Sequence, residues 1–212
     1  MISVLVVDDH AIFREGIKKV LATTADIVVA AEAGDGRDVA RKIREGGFDV
    51  VVLDIALPGK DGIAVLRELK AEHPGLPILI LSMYPEEQYA VRVLKEGASG
   101  YLTKESVPSE LIAAIRRVAQ GRKYVSESLA ERLAIDVEAT RTQPRHERLS
   151  GREYQVFLMI ASGKTTKEIA HLLSLSPTTI STHRGRILEK MGMKNTAEIV
   201  RYAVRNSLVV TE

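Results

Sequence analysis

The chain has 212 residues, 45% hydrophobic and 27% charged, which supplies apolar material for two small cores and argues against wholesale disorder. It holds no Cys, which excludes disulfides and thiolate metal sites and suits a reducing compartment, and no apolar run approaches the roughly 18 residues that span a bilayer. The net charge of +2 hides an asymmetry: residues 1–140 carry 18 basic and 22 acidic side chains, a net −4, whereas residues 141–212 carry 12 and 6, a net +6. A small basic unit suits phosphate backbones through counterion release, although a merely solvated basic surface would account for the charge equally well.

The chain opens on residues 2–7, a β-branched run that lacks the basic start of a signal peptide and reads as a strand. Similar runs follow at 27–31, 50–53, 78–81 and 100–102, separated by amphipathic stretches at 11–21, 35–45, 62–71, 86–95 and 107–119. Strand and helix in alternation predict a parallel sheet covered on both faces, and the unbroken apolar runs Val4-Leu5-Val6-Val7 and Val50-Val51-Val52-Leu53 fit strands buried on both sides. The fold class expected is therefore α/β, a flavodoxin-like five-stranded sheet of order 2-1-3-4-5 whose ligands sit beyond the carboxyl ends of the strands. One further helix is expected over 126–139. Residues 140–148 read as a linker, and 149–212 as an all-α unit of four helices. The domains expected are thus 1–121, a connecting helix and linker over 122–148, and 149–212.

Polar residues follow the strands of the first unit. Strand one ends in Asp8-Asp9, strand three in Asp54 and strand four in Ser82, and strand five is followed by Lys104. In a parallel sheet these positions share one edge. Three carboxylates there would repel one another unless compensated, and Mg²⁺, which prefers oxygen ligands and keeps several waters, would compensate them. Asp9 and Asp54 are candidates for direct ligands and Asp8 for a ligand through water. Lys104 adds a fixed positive charge, and Ser82 a hydroxyl donor. Such a site can stabilise a phosphoryl group transferred to a carboxylate, and Asp54 is the candidate acceptor because strand three is central. A lone acid at a strand end is more often a helix cap or a solvated turn; the set of five at successive strand ends reverses that reading. Pro58 and Gly59 are expected to form the turn after Asp54. His10 reads as a helix-start residue, because Mg²⁺ favours oxygen.

The pieces Val6-Val7-Asp8-Asp9-His10, the run from Leu53 through Asp54 to Gly62, Leu81-Ser82, and the run from Gly97 to Lys104 resemble the receiver domain of two-component response regulators. The resemblance implies that Asp54 takes a phosphoryl group from a sensor kinase histidine. It implies that the acid pair binds Mg²⁺ and that Ala56 supplies a backbone carbonyl to the metal. It also implies that Ser82 and Tyr101 move together on activation, and that pairs form through the face at about 86–101. Packing alone remains the bland account of Tyr101.

In the last unit, Ser162-Gly163 marks a helix end and Ser176-Pro177 a helix start. Two short helices joined across Ser174-Leu175-Ser176 match a helix-turn-helix. In the third helix Ile180, Ile187, Leu188 and Met191 form an apolar stripe. Thr178, Thr182, Gly185, Arg186 and Glu189 fall on the opposite side with Ser181 at its border, a small polar face with one Arg suited to base edges in a major groove. Arg184 is expected to pack its stem near the stripe while its head reaches a phosphate, and His183 to pack or touch backbone. Lys167 and Lys190 are expected phosphate contacts. A four-helix protein-binding module fits the spacing alone nearly as well. The segments 149–153, 163–170 and 178–183, the last including Thr179, resemble the LuxR-type helix-turn-helix, which with a receiver defines the NarL/FixJ class of regulators. Gly185 departs from the longer residue common there, which bars carrying over a base preference.

The expected protein is a cytoplasmic transcription regulator, not an enzyme beyond the chemistry at Asp54. Its expected partners are a sensor histidine kinase, promoter DNA and a second copy of itself when phosphorylated, with no membrane. Two rivals are a vestigial pocket on a phosphorylation-independent DNA binder, and a Mg²⁺-dependent aspartyl-phosphate hydrolase. Ala56 argues against the hydrolase, since such enzymes place a second acid two residues after the nucleophile. A flavin-binding module is weaker still, because three acids would repel its phosphate.

Overall fold

The structure, a computed structural model, describes residues 1–57, 60–126, 129–131 and 144–209. The chain divides into two compact units, Met1–Asp136 and Val137–Glu212. The expected turn at Pro58 and Gly59 lies outside the described residues, as does most of the helix expected over 126–139; only 126 and the helical stretch 129–131 fall inside.

The first unit alternates β1 (Ile2–Val7), α1 (Ala11–Leu21), β2 (Ile27–Ala33), α2 (Gly36–Glu45), β3 (Val50–Asp54), α3 (Gly62–Glu72), β4 (Ile78–Ser82), α4 (Glu86–Lys95), β5 (Gly100–Thr103) and α5 (Val107–Ala119). The strands form one sheet of order β2-β1-β3-β4-β5 with every pairing parallel, as expected from the alternation. Residues alternate across the sheet with the pleat. Val4, Val6, Val50, Val52, Leu79 and Leu81 form one core cluster with Ile17 and Leu21 of α1 and Leu111, Ile115 and Val118 of α5. The alternate positions Leu5, Val7, Val51, Leu53 and Ile80 are buried as fully, so both faces of the sheet are covered.

Two local features bring the strand ends together. The amide of Asp8 donates to the carbonyl of Ala33, which ties the loop after β1 to the end of β2. At Gly62, the first residue of α3, a Cβ would stand 2.2 Å from the Asp54 carbonyl oxygen and 2.7 Å from Ile55 Cα. Only glycine lets α3 begin directly beneath the end of β3. After α5 the chain returns to the sheet edge: Tyr124 bridges Gly100 in parallel register, its amide donates to Ser99 O at 2.9 Å, and its hydroxyl donates to Glu110 Oε2 at 2.7 Å.

In the second unit a 3-10 turn (Arg145–Arg148) precedes α6 (Gly151–Ala161), α7 (Thr166–Leu172), α8 (Pro177–Met191) and α9 (Thr196–Arg205). The turn occupies residues that the sequence reads as the end of a linker. It is ordered by packing, for the His146 ring stacks on Tyr154 and its Nδ1 lies 3.1 Å from the Tyr202 hydroxyl. The helices begin where side chains satisfy their free amides. Ser150 with Glu153, and Thr165 with Glu168, close capping boxes; Ser176 and Asn195 cap α8 and α9. Gly192 ends α8 at φ 62°, the left-handed conformation glycine adopts without a Cβ penalty. Tyr154, Phe157, Ile169, Ile180, Ile187, Ile199 and Ala203 are buried as the core of this unit.

Candidate functional site

The sheet topology gathers at one edge what is scattered over nearly a hundred positions of sequence. Asp8, Asp54, Ser82 and Lys104 are all buried. Ligand atoms of Asp8, Asp9, His10 and Asp54 lie within 4.8 Å of one another. Lys104 Nζ donates to Asp54 Oδ2 at 2.7 Å and lies 2.6 Å from Asp8 Oδ2. The second contact is an ion pair outside hydrogen-bond geometry, so this buried oxygen of Asp8 has no hydrogen bond. The other Asp8 oxygen accepts from the His10 amide at 2.8 Å. Asp54 Oδ1 accepts from the Ala56 amide at 3.0 Å, the local bend that turns the chain off β3.

Burial pushes the Asp54 carboxyl above its ordinary value, and the neighbouring Asp8 adds to the rise; the charge and hydrogen bond of Lys104 oppose it without cancelling it. Burial alone would lower the Lys104 ammonium, but attraction to Asp54 and Asp8 outweighs burial and holds it above the usual lysine value. Both partners of one ion pair are thus raised, because Asp54 feels a second acid and a dry setting while Lys104 feels two acids. The ammonium also sits 4.7 Å over the Phe13 ring, a cation–π contact from α1.

The expected switch residues meet in the loop after β4. Ser82 Oγ accepts from the Tyr84 amide at 3.0 Å, and the Tyr101 hydroxyl donates to the Tyr84 carbonyl at 2.7 Å. Burial pushes the Tyr101 phenol well up, against a hydrogen bond with Ser82 that lowers it. Ser82 and Tyr101 therefore hold opposite sides of one residue.

His10 takes the expected helix-start place before α1 without a side-chain cap. Its ring also approaches the acids, with Nδ1 2.8 Å from Asp9 Oδ1 and 3.2 Å from Asp8 Oδ1, a contact the sequence reading did not include. Arg14 and Phe13 were also missed. No local pattern marks a residue that reaches back to a backbone carbonyl or lies under a lysine ninety positions away. Beside the acids a cavity of about 470 Å³ is lined by His10, Ile12, Phe13, Met83, Lys104 and Pro108, among others.

On α8 the buried positions are Ile180, Ile187 and Met191. The stripe runs through half-buried His183, whose Nδ1 is buried without a hydrogen bond, whereas Arg184 is exposed. Its guanidinium is open to solvent, as a head that reaches a phosphate requires. Burial lowers the His183 imidazole below its ordinary value, with Arg152 and Arg186 adding to the effect and Glu153 opposing it. Thr178, Ser181, Thr182, Gly185 and Arg186 are exposed and Thr179 is half-buried. Ser181 and Thr182 donate their hydroxyls to the carbonyls of Pro177 and Thr178, which leaves oxygen lone pairs facing out. Lys167 is exposed on α7. Lys190 is engaged within the unit, donating to Glu153 Oε2 at 2.6 Å, so a phosphate would share it.

Residues 4–116 match the response regulator receiver domain family, and residues 147–203 match the bacterial regulatory proteins of the luxR family. The chain is 34% identical over 213 residues to the response regulator UvrY of Escherichia coli, covering 100% of this chain and 98% of that protein. It is 36% identical over 210 residues to the response regulator GacA of Pseudomonas aeruginosa, covering 99% and 98%. A solved structure of RcsB from Salmonella enterica serovar Typhimurium, bound to promoter rprA in the presence of the phosphomimetic BeF3-, is similar at a TM-score of 0.61 and 26% identity, covering 95% of this chain and 97% of that one. These matches run over nearly the full length of the chain, the receiver family on the first unit and the luxR family on the second. The chain belongs to the response regulators of the NarL/FixJ class, DNA-binding transcription regulators with a receiver domain and a LuxR-type helix-turn-helix.

Proposed function

We propose that Asp54 is the phosphoacceptor of this regulator. The observation that carries the reading is the single ammonium of Lys104 shared between Asp54 and Asp8, with Asp9 in reach. An Asp54 carboxylate oxygen forms the new O–P bond as the N–P bond to the donor imidazole of a sensor histidine kinase breaks; the N–P electron pair returns to that nitrogen, and the imidazole leaves neutral, keeping the proton already on its other ring nitrogen. Lys104, freed from one carboxylate, pairs with a phosphoryl oxygen, and the Ser82 hydroxyl donates to another.

Mg²⁺ fits the residues present. The donors are hard oxygens gathered within 4.8 Å, and one of them, Asp8 Oδ2, is buried without a hydrogen bond. Asp8, Asp9, Asp54 and the backbone carbonyl of Ala56 would hold the ion, which supplies charge neutralisation during transfer. Once Ser82 turns toward the phosphoryl group it releases the Tyr84 amide, Tyr101 follows, and the loop into α4 shifts. The face at about 86–101 then favours pairing with a second copy. The cavity beside His10, Phe13 and Lys104, with Ile12 and Met83 exposed at its rim, is the approach for the kinase.

We assign residues 1–121 to the phosphoacceptor domain, 122–148 to the connection and 149–212 to the DNA-binding domain. Thr178, Thr179, Ser181, Thr182, Arg184, Gly185 and Arg186 face the major groove of promoter DNA. Lys167 contacts phosphate, Lys190 does so in part, and His183 supports the helix from within. The similarity to RcsB, a structure bound to promoter rprA, supports this placement. A promoter as ligand supports the cytoplasm as the working compartment.

DNA selected from random sequence by the wild type and by Asp54→Asn, each with and without a small-molecule phosphodonor and Mg²⁺, tests the reading. Phosphodonor should sharpen selection for the wild type alone. Equal selection by both proteins under all conditions would sink it in favour of a vestigial pocket.

A further inference from the structure

Arg14 stands in the first turns of α1, and its guanidinium makes two separate contacts. Nη1 donates to the backbone carbonyl of Asp8 at 2.6 Å. Nε donates to Glu32 Oε2, on β2, at 2.9 Å. The side chain is 19% exposed. Glu32 is held in turn by Lys18, whose ammonium lies 2.7 Å from Oε1.

The carbonyl that Arg14 holds belongs to the peptide joining Asp8 to Asp9. The amide on the other side of Asp8 donates to Ala33 O at 3.0 Å. Both backbone groups of Asp8 are therefore pinned, one to the end of β2 and one to a residue anchored on β2. The Asp8 side chain is packed at 1% exposure, whereas that of Asp9 is 32% exposed. Asp9 takes its direction from the backbone and from the neighbouring His10 ring, whose Nδ1 lies 2.8 Å from Oδ1, more than from packing. The plane of the Asp8–Asp9 peptide sets that direction, and it cannot turn without breaking the Arg14 contact. A guanidinium suits the task because its rigid fork makes two bonds at a fixed angle, which an ammonium does not.

We propose that Arg14 is a positioning residue for the acid pair: anchored by Glu32, it fixes the Asp8–Asp9 peptide so that both carboxylates face the cation site. The inference rests on the reading of the acidic cluster as a Mg²⁺ site. Charge alone predicts the opposite sign. Removing a cation that stands behind three carboxylates would tighten Mg²⁺ binding, whereas loosening the peptide weakens it.

The test is a titration of the full chain with Mn²⁺, followed by the electron paramagnetic resonance of the free ion and by Mg²⁺ competition, with no phosphodonor present. Partners that orient a metal ligand are worth roughly 10-fold to 100-fold in affinity. Arg14→Gln and Arg14→Lys should each weaken binding by about tenfold, the lower edge of such effects, and Glu32→Gln by about threefold, short of that range because Arg14 keeps its bond to the Asp8 carbonyl. Thermal melting of the same variants in chelator should show each fully folded at the temperature of the titration, which separates positioning from general stability. Asp9→Asn locates the ion. If the wild type binds no ion, or binds one that survives Asp9→Asn, the Mg²⁺ reading fails and the inference falls with it. If Asp9→Asn abolishes binding while both Arg14 variants bind as tightly as the wild type or more tightly, or Arg14→Lys alone restores full affinity, the cluster reading stands and the role of Arg14 is overturned. Should the Arg14 variants not fold, an unchanged affinity in Glu32→Gln overturns it as well.

Discussion

At Lys104 one ammonium serves two carboxylates, and the phosphoryl chemistry turns on that sharing. An unpaired buried carboxylate would be costly, and a fully neutralised one a poor nucleophile. Asp54 stands between these limits: buried, raised by its setting, yet bonded to a cation that another acid also claims. Ala56 lies half-buried beside it, its amide already committed to Asp54 Oδ1. Its methyl screens little of the space that an attacking water would use. Ala56→Asn is therefore expected to lengthen the life of the Asp54 phosphate several-fold, on the order of 1 kcal/mol in barrier. The decay of phosphoprotein after rapid donor removal measures this, and an unaltered lifetime would count against it. Ser82→Ala keeps every carboxylate and Lys104 in place. It should still be phosphorylated at Asp54, while its phosphodonor-dependent gain in DNA affinity shrinks, read by titration with a labelled promoter fragment. A full gain in that variant would remove Ser82 and Tyr101 from the signal route.

Among the elements, α6 and α8 are joined by a single buried acid. Glu153 closes the capping box of α6, accepting from the Ser150 amide at 2.8 Å, and also accepts from Lys190 of α8 at 2.6 Å. Burial alone would raise its carboxyl, but the hydrogen bonds from Lys190 and Ser150 prevail and hold it below the ordinary glutamate value of 4.5. A carboxyl lowered in the folded state contributes stability that is fully present above the unfolded value and is lost as pH falls through the folded one. Glu153→Gln should accordingly destabilise the second unit by about 1–3 kcal/mol near neutral pH, and the difference should narrow as pH falls below about 4. Amide exchange across α6 and α8 in both proteins checks it; a difference that widens on acidification would contradict the assigned cause. The edge of the first sheet shows the same economy. Gly100 admits Tyr124 so closely that a Cβ would lie 2.7 Å from the Tyr124 carbonyl oxygen, and the connection is bound to β5 and Glu110 within its first residues.

Over the whole molecule the two parts of the chain carry opposite charge, a net −4 over residues 1–140 and +6 over 141–212. Salt should act on them differently. Counterion release makes DNA binding fall steeply as salt rises, whereas the buried pair of Lys104 and Asp54 is little screened. Phosphorylation of Asp54 should vary little between about 50 and 200 mM salt while DNA affinity drops by orders of magnitude. Lys167→Ala should weaken binding to all sequences alike and reduce the magnitude of the salt slope by about one, as measured by fluorescence anisotropy at several salt concentrations. A change confined to one sequence would mark Lys167 as a base reader instead.

Much of this was open to reading in the chain itself. Parallel strands buried on both faces write continuous apolar runs, and the residue after each strand falls on one edge, so Asp8, Asp9, Asp54, Ser82 and Lys104 could be placed together from local pattern and sheet order alone. Ser176 before Pro177 announced its helix for the same reason, since a helix start needs side chains that satisfy its free amides, and Ser150, Thr165 and Asn195 cap the other starts in the same way. Contacts that cross between elements carry no such mark. The bond from Arg14 to the Asp8 carbonyl uses a backbone acceptor that every residue possesses, the exposure of Arg184 depends on how much of α8 its neighbours cover, and the pairing of Lys190 with Glu153 joins positions 37 apart. Periodicity and local hydrogen bonding are properties of a short stretch of chain, and these the sequence by itself determined. Which side chain meets which backbone group across the fold depends on packing, and only the tertiary structure decided it.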